Sequence, residues 1–171
     1  MPGFQVGEKV VYPNQGIGVI ENISIRYFGG RPEKFYLLRL MCNHMTVMVP
    51  FSHVEEIGLR RLSRNGELER VLTFLATGAC KSRGDWKNRF KENCEKMRVG
   101  GLLQIAEVLK SLLLLQLQKP LSFREKRMLE RARQMLITEI ALSRGMSEAE
   151  AFELVRRALA KASLTLPPPQ A

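Results

Sequence analysis

Residues 81–98, KSRGDWKNRFKENCEKMR, set the chain's single tryptophan, Trp86, among seven basic residues (Lys81, Arg83, Lys87, Arg89, Lys91, Lys96, Arg98) and three acidic ones. The chemistry open to such a segment is recognition of a polyanion rather than bond-making. Lysine and arginine neutralise phosphates and release counterions, and one planar apolar group can stack on a base or wedge into an opened base step. The same residues allow a plainer reading. On a helix beginning near Asp85, the residues Trp86, Phe90, Cys94 and Met97 follow one another at helical spacing, as a core stripe does, and the lysines could be its solvated face. Large aromatics are mostly buried, which favours the core; a place in the first turn, after Gly84 and Asp85, favours exposure.

Other chemistries lack their residues. Cys42, Cys80 and Cys94 are widely spaced without a C-x-x-C pair, so free buried thiols are expected. Cys42, His44 and His53 lack a fourth partner for a tetrahedral zinc site, and no metal or other cofactor is expected. Gly16-Ile17-Gly18 lacks the third glycine and following helix of a dinucleotide loop, and no G-x-x-x-x-G-K-[ST] motif occurs. Neither histidine sits in a nucleophile or metal motif, so the chain is read as no enzyme.

The elements that must hold Trp86 come from the rest of the chain. At 171 residues with 45% hydrophobic content it can bury a core as one domain or two small ones. Its formal charge of +10 is unevenly spread. Residues 1–58 balance Lys9, Arg26, Arg31, Lys34 and Arg39 against Glu8, Glu21, Glu33, Glu55 and Glu56, so 22 of the 27 basic and 12 of the 17 acidic residues lie beyond. A neutral module for a protein partner followed by a basic module for a polyanion fits that asymmetry. The first residues lack the basic start and apolar run of a secretory signal, so a cytoplasmic protein is expected, and no apolar run could span a bilayer.

Short strands are expected first. Val6, Val10 and Val11 lead into a Pro-Asn-Gly turn; Ile17, Val19, Glu21, Ile23 and Ile25 then alternate, with Gly16 and Gly18 read as turn and bulge positions. Gly29-Gly30 marks a hairpin, and Phe35–Leu40 and Thr46–Pro50 supply further strands of a small, strongly bent sheet or barrel. Helical spacing takes over between Pro50 and Arg61. One helix carries Leu68, Val71, Leu72 and Leu75 to a stop at Gly78; the Trp helix follows; a broad apolar stripe from Leu102 to Leu113 makes the central helix of a bundle. Ser122-Phe123-Arg124-Glu125 and Ser147-Glu148-Ala149-Glu150 are capping-box patterns opening two more helices. Domains of 1–58 and 59–162 are expected, with a disordered tail over 163–171.

Five ordered blocks, GEKVVYPNQGIGVI from Gly7, TVMVP from Thr46, DWKNRFKENCEKM from Asp85, IAEVLKSL from Ile105 and LSFREKRMLERARQML from Leu121, are similar to the CarD/CdnL family of bacterial transcription regulators, over about residues 3–162. The opening block also resembles the RNA-polymerase-binding module of the transcription-repair coupling translocase; the helical blocks separate the two. The resemblance implies an α+β protein of two domains, a small Tudor-like bent β-sheet or barrel followed by an all-α helical bundle. It implies docking of the first domain on the β subunit of bacterial RNA polymerase, through Arg26, Phe28 and Met48. It further implies sequence-independent contact of the second with promoter DNA. Trp86 matches the family's tryptophan, which wedges at the upstream edge of the melted −10 region and stabilises the open promoter complex, with Lys87, Arg89 and Lys91 on the backbone. Two departures stand out: Met48 occupies the place where some members carry a second arginine beside the one matched by Arg26, and Asn88 stands where some have a basic residue. The resemblance implies a monomer in the cytoplasm, at the nucleoid through its polymerase, with no membrane partner. A rival class is a helical adaptor, or an RNA- or ribosome-associated interaction module, whose basic face is solvated or binds RNA.

Overall fold

The computed structural model describes residues 3–13, 15–41, 43–78, 86–99 and 101–167, without the side chains of Phe28, Trp86, Lys87, Asn88 and Val99. Cys42, Cys80, Lys81, Arg83 and residues 168–171 of the expected tail lie outside the described residues. The chain divides into two compact units, Met1–Leu62 and Ser63–Ala171.

The first unit is an antiparallel sheet of β1 (Lys9–Tyr12), β2 (Gly16–Phe28), β3 (Arg31–Leu40), β4 (Thr46–Pro50) and β5 (Arg60–Arg61), ordered β4-β3-β2-β1-β5. A 3-10 turn, Phe51–His53, and a single-turn helix, α1 (Val54–Ile57), link β4 to β5. The hairpin between β2 and β3 closes on Gly29 and Gly30 at φ 58° and 78°, the left-handed pair a two-residue turn needs. The expected alternation along β2 breaks where the pairing slips between Ile20 and Asn22. That bulge shifts the strand's phase by one residue, so Ile23, opposite Tyr36, shares a side of the sheet with Ile20, opposite Leu38, and not with Ile17; Ile20 is fully buried, whereas Ile23, Ile25 and Tyr27, farther along the strand, are exposed. Gly18 is therefore not the bulge; it pairs with Leu40 in regular register. The core gathers Phe4, Val10, Ile20, Leu38, Val49 and Leu59 around Tyr36, whose ring stacks on Phe51 at 4.1 Å and meets Phe4 edge-on at 5.5 Å. The unit ends after Leu62 rather than after residue 58, because Arg60 and Arg61 pair with Val11 and Val10 of β1 and Arg61 binds Glu8 at 2.6 Å.

The second unit is helical: α2 (Asn65–Thr77), α3 (Trp86–Val99), α4 (Leu102–Gln118), α5 (Phe123–Arg144) and α6 (Glu148–Ala160). As expected, α4 is central. Its buried residues, among them Ile105, Val108, Leu109 and Leu112, wrap most of its circumference, and α2, α3 and α5 all pack on it. Ser122 and Glu125 form the reciprocal capping box of α5, and Gly145 ends that helix in the left-handed conformation. At α6 the Ser147 hydroxyl accepts from the Glu150 N–H at 3.1 Å. The chain does not leave the fold at Ser163. The Leu164 N–H donates to the Leu159 carbonyl at 3.0 Å, and Leu164 and Leu166 bury their side chains in the helical core. Two leucines spaced by one residue put both side chains on one side of an extended segment, a pattern outweighed in the sequence by the neighbouring prolines. The fold class is thus α+β, an antiparallel sheet followed by helices.

Candidate functional site

In the first unit, the residues expected to bind polymerase share a face of the sheet. Arg26 lies opposite Glu33 of β3, Phe28 holds the next alternate position opposite Arg31, and Met48 of β4 lies opposite Leu37, which in turn faces Asn22 of β2. Directly paired residues, and residues two apart along a strand, lie on the same side of a sheet, so positions 22, 26, 28, 37 and 48 form one surface. Arg26 is exposed and Met48 is 37% exposed. Two free backbone edges flank this surface. Strand β4 ends the sheet, and the outer half of β2, Asn22–Phe28, pairs only with β3 among the described residues because β1 reaches no further than Val19. They lie on opposite sides of β3, so one incoming strand can add to one of them only.

In the second unit, α3 begins at Trp86, and its inward row is Phe90, half-buried, with Asn93 and Met97, both buried. Trp86, four residues before Phe90, opens that row at the helix's first residue. Cys94 leaves the expected stripe: it is exposed, because the buried row follows a spacing of three then four residues and passes beside it. Partial desolvation raises the Cys94 thiol above its ordinary value, and the Arg124 guanidinium works against that rise. The first turn of α5 therefore lies within electrostatic reach of α3.

The basic cluster read from the sequence is thinned by pairing. Lys96 binds Glu107 of α4 at 2.9 Å, and Arg98 binds Glu95 at 2.6 Å. Arg89 is half-buried, while Lys91 is exposed and, among the described residues, has no ion pair. In compensation, α5 opens with Phe123, 73% exposed, and Arg124, Lys126 and Arg127, all exposed, with the Arg127 guanidinium 5.4 Å from the centre of the Phe123 ring. An apolar ring amid cations is the combination that singled out Trp86, here on a second helix. Its signal in the sequence was the unusual aromatic beside the Ser122 cap, which a helix-boundary reading absorbs.

A sequence model of the C-terminal domain of CarD matches residues 70–156, and one of the CarD-like/TRCF RID domain matches residues 4–63. The chain belongs to the CarD family. The chain is also similar to a Bacillus subtilis (strain 168) protein named "Putative transcription factor YdeB", 31% identical over 147 residues, 86% of this chain and 96% of that one. Among solved structures, CdnLNt from Myxococcus xanthus is 37% identical over 36% of this chain and 87% of that chain, with a TM-score of 0.32. The 72-residue N-terminal domain of Myxococcus xanthus CarD is 36% identical over 34% and 77%, with a TM-score of 0.30. As a CarD-family member the chain is a transcription regulator, and its RID-type domain implies interaction with RNA polymerase. Among the described residues no helix is long and apolar enough to cross a membrane.

Proposed function

We infer that this CarD-family protein docks on the β subunit of bacterial RNA polymerase through its sheet and stabilises the open promoter complex through α3. The observation that carries the reading is the pairing in one chain of an RID-type module with a CarD C-terminal module whose α3 starts at the only tryptophan. The edge of β4 adds to a strand of the β subunit by backbone hydrogen bonds, and the surface shared by Met48 and Arg26 supplies side-chain specificity. Trp86 wedges at the upstream edge of the melted −10 region, while Lys87, Arg89 and Lys91, extended by Arg124 and Lys126, neutralise backbone phosphates without reading bases. No bond is made or broken. A ligand shifts the closed-to-open equilibrium by as much as it prefers the open form, and a wedge that needs an unstacked step has that preference built in. The protein acts as a monomer in the cytoplasm, brought to the nucleoid by its polymerase.

Two measurements test the two halves separately. Arg26→Glu reverses an exposed charge opposite Glu33, so the sheet should fold as before while capture of the isolated β subunit falls; β capture equal to wild type removes Arg26 from the interface. Lys91→Ala removes an exposed cation that has no ion pair among the described residues. The slope of log affinity for promoter DNA against log salt should become shallower by about one unit, equally for unrelated promoter sequences. An unchanged slope leaves Lys91 a solvated residue, and a loss confined to one promoter contradicts sequence-independent contact.

A further inference from the structure

One basic residue of the helical unit cannot belong to its polyanion-binding surface. Lys110 of α4 is 3% exposed, and its ammonium donates to the carbonyls of Phe74 at 2.8 Å and Gly78 at 2.5 Å, with the nitrogen 5.1 Å from the centre of the Phe74 ring. These carbonyls close α2. The Gly78 N–H itself donates to the Phe74 carbonyl at 2.7 Å, and Gly78 takes extended backbone that ends the helix. A buried cation at a helix C-terminus meets the negative end of the helix dipole and adds a donor to the carbonyls there. Gly78 is part of the same lock: a Cβ there would stand 2.2 Å from Phe74 Cδ2 and 2.7 Å from its carbonyl oxygen.

Stability alone does not account for a lysine here. Taking an ammonium out of water costs several kcal/mol, and an unbranched apolar side chain of similar length would fill the space without that penalty. What the ammonium adds is direction, since it ties the end of α2 to a defined point on α4. One turn away on α4, Glu107 holds Lys96 of α3, and Met97 of α3 is buried in the same core. The C-terminal end of α2 and the body of α3 are thereby registered on neighbouring positions of one helix, and Trp86 is the first residue of α3.

We propose that Lys110 is a positioning residue for Trp86, holding the end of α2 on α4, the helix against which α3 also packs, without itself touching DNA. The functional consequence rests on the reading of Trp86 as the promoter contact; the positioning does not. With one tryptophan in the chain, its fluorescence reports on Trp86 alone. The test compares the full-length wild type, Lys110→Met, Lys110→Arg and, as a control for general loosening, Val155→Ala in the buried face of α6. Lys110→Met should show a larger fast component in the time-resolved anisotropy of Trp86, and Lys110→Arg should restore most of the wild-type decay. Val155→Ala should lower the melting temperature without changing that anisotropy. In promoter assays with RNA polymerase, Lys110→Met should shorten the open-complex half-life about fivefold, at the low end of couplings between linked sites. Because a buried lysine releases no counterion, the salt slope of DNA binding should stay at the wild-type value. Unchanged Trp86 anisotropy in a folded Lys110→Met protein overturns the proposal, as does a salt slope shallower by one unit, which would make Lys110 a phosphate contact. If Lys110→Met does not fold, Gly78→Ala, whose Cβ would stand 2.2 Å from Phe74 Cδ2 and so disturbs the same α2 end from its other side, carries the same comparison. Should Trp86→Ala leave open-complex lifetime unchanged, the promoter reading falls, while raised Trp86 mobility in Lys110→Met still supports the positioning role.

Discussion

Trp86→Ala should shorten the lifetime of open promoter complexes by about tenfold or more, since unstacking a base step is worth a few kcal/mol and each 1.4 kcal/mol is a factor of ten. The melting temperature of the free protein should barely move. The opposite pattern has an equally definite size: Trp86 opens the row that continues through Phe90, Asn93 and Met97, and if its ring is packed there, the substitution should cost about 3 to 5 kcal/mol of stability. Trp86→Phe separates the two further. A smaller ring wedges less deeply, so the half-life should fall between wild type and the alanine variant, at unchanged stability. Open-complex decay after competitor challenge, alongside thermal melting of all three proteins, checks this. A large fall in melting temperature with decay unaffected would return Trp86 to the core.

Glu139→Ala should be the most damaging single change to the helical unit outside its apolar core. The Glu139 carboxylate, 1% exposed, accepts from the Ser63 N–H at 2.9 Å and the Ser63 hydroxyl at 2.6 Å, while the Ser143 hydroxyl donates to the Ser63 carbonyl at 2.5 Å. This network pins the residue where the helical unit begins, just ahead of α2, to the middle of α5. With alanine, two buried donors lose their acceptor at about 1 to 3 kcal/mol each, so a total of about 3 kcal/mol is expected, or about 13 °C in the melting of a unit this size. Glu139→Gln keeps an acceptor oxygen and should lose less than half as much. Melting followed by far-ultraviolet circular dichroism measures both. Equal losses for Gln and Ala would show that charge, rather than hydrogen bonding, holds Ser63.

What is local in this protein was legible in its residues. The hairpin turn at Gly29-Gly30, the capping box at Ser122 and Glu125, the stop at Gly145 and the central place of the broadly apolar α4 depend on neighbours within one or two turns of chain. The ordered blocks that resemble the CarD/CdnL family were equally visible, since a family is a property of sequence, and the matches over residues 4–63 and 70–156 agree with them.

What depends on residues far apart was decided only by the tertiary structure. A bulge at Glu21 moved Ile23 and Ile25 to the side of the sheet opposite Ile17 and Val19, because strand phase is set by pairing with β3 and not by alternation within β2. The two-residue β5 exists only through its partner β1. The apparent seven-charge cluster lost Lys96 to a glutamate on another helix and Arg98 to one three residues away, and Lys110, counted among the basic residues, is buried under the end of α2. Leu164 and Leu166 found the core beyond the last helix. Composition records how many charges and apolar side chains a chain carries; where each is spent depends on which distant groups folding brings within a few ångströms, and that selects the cations left to meet a phosphate.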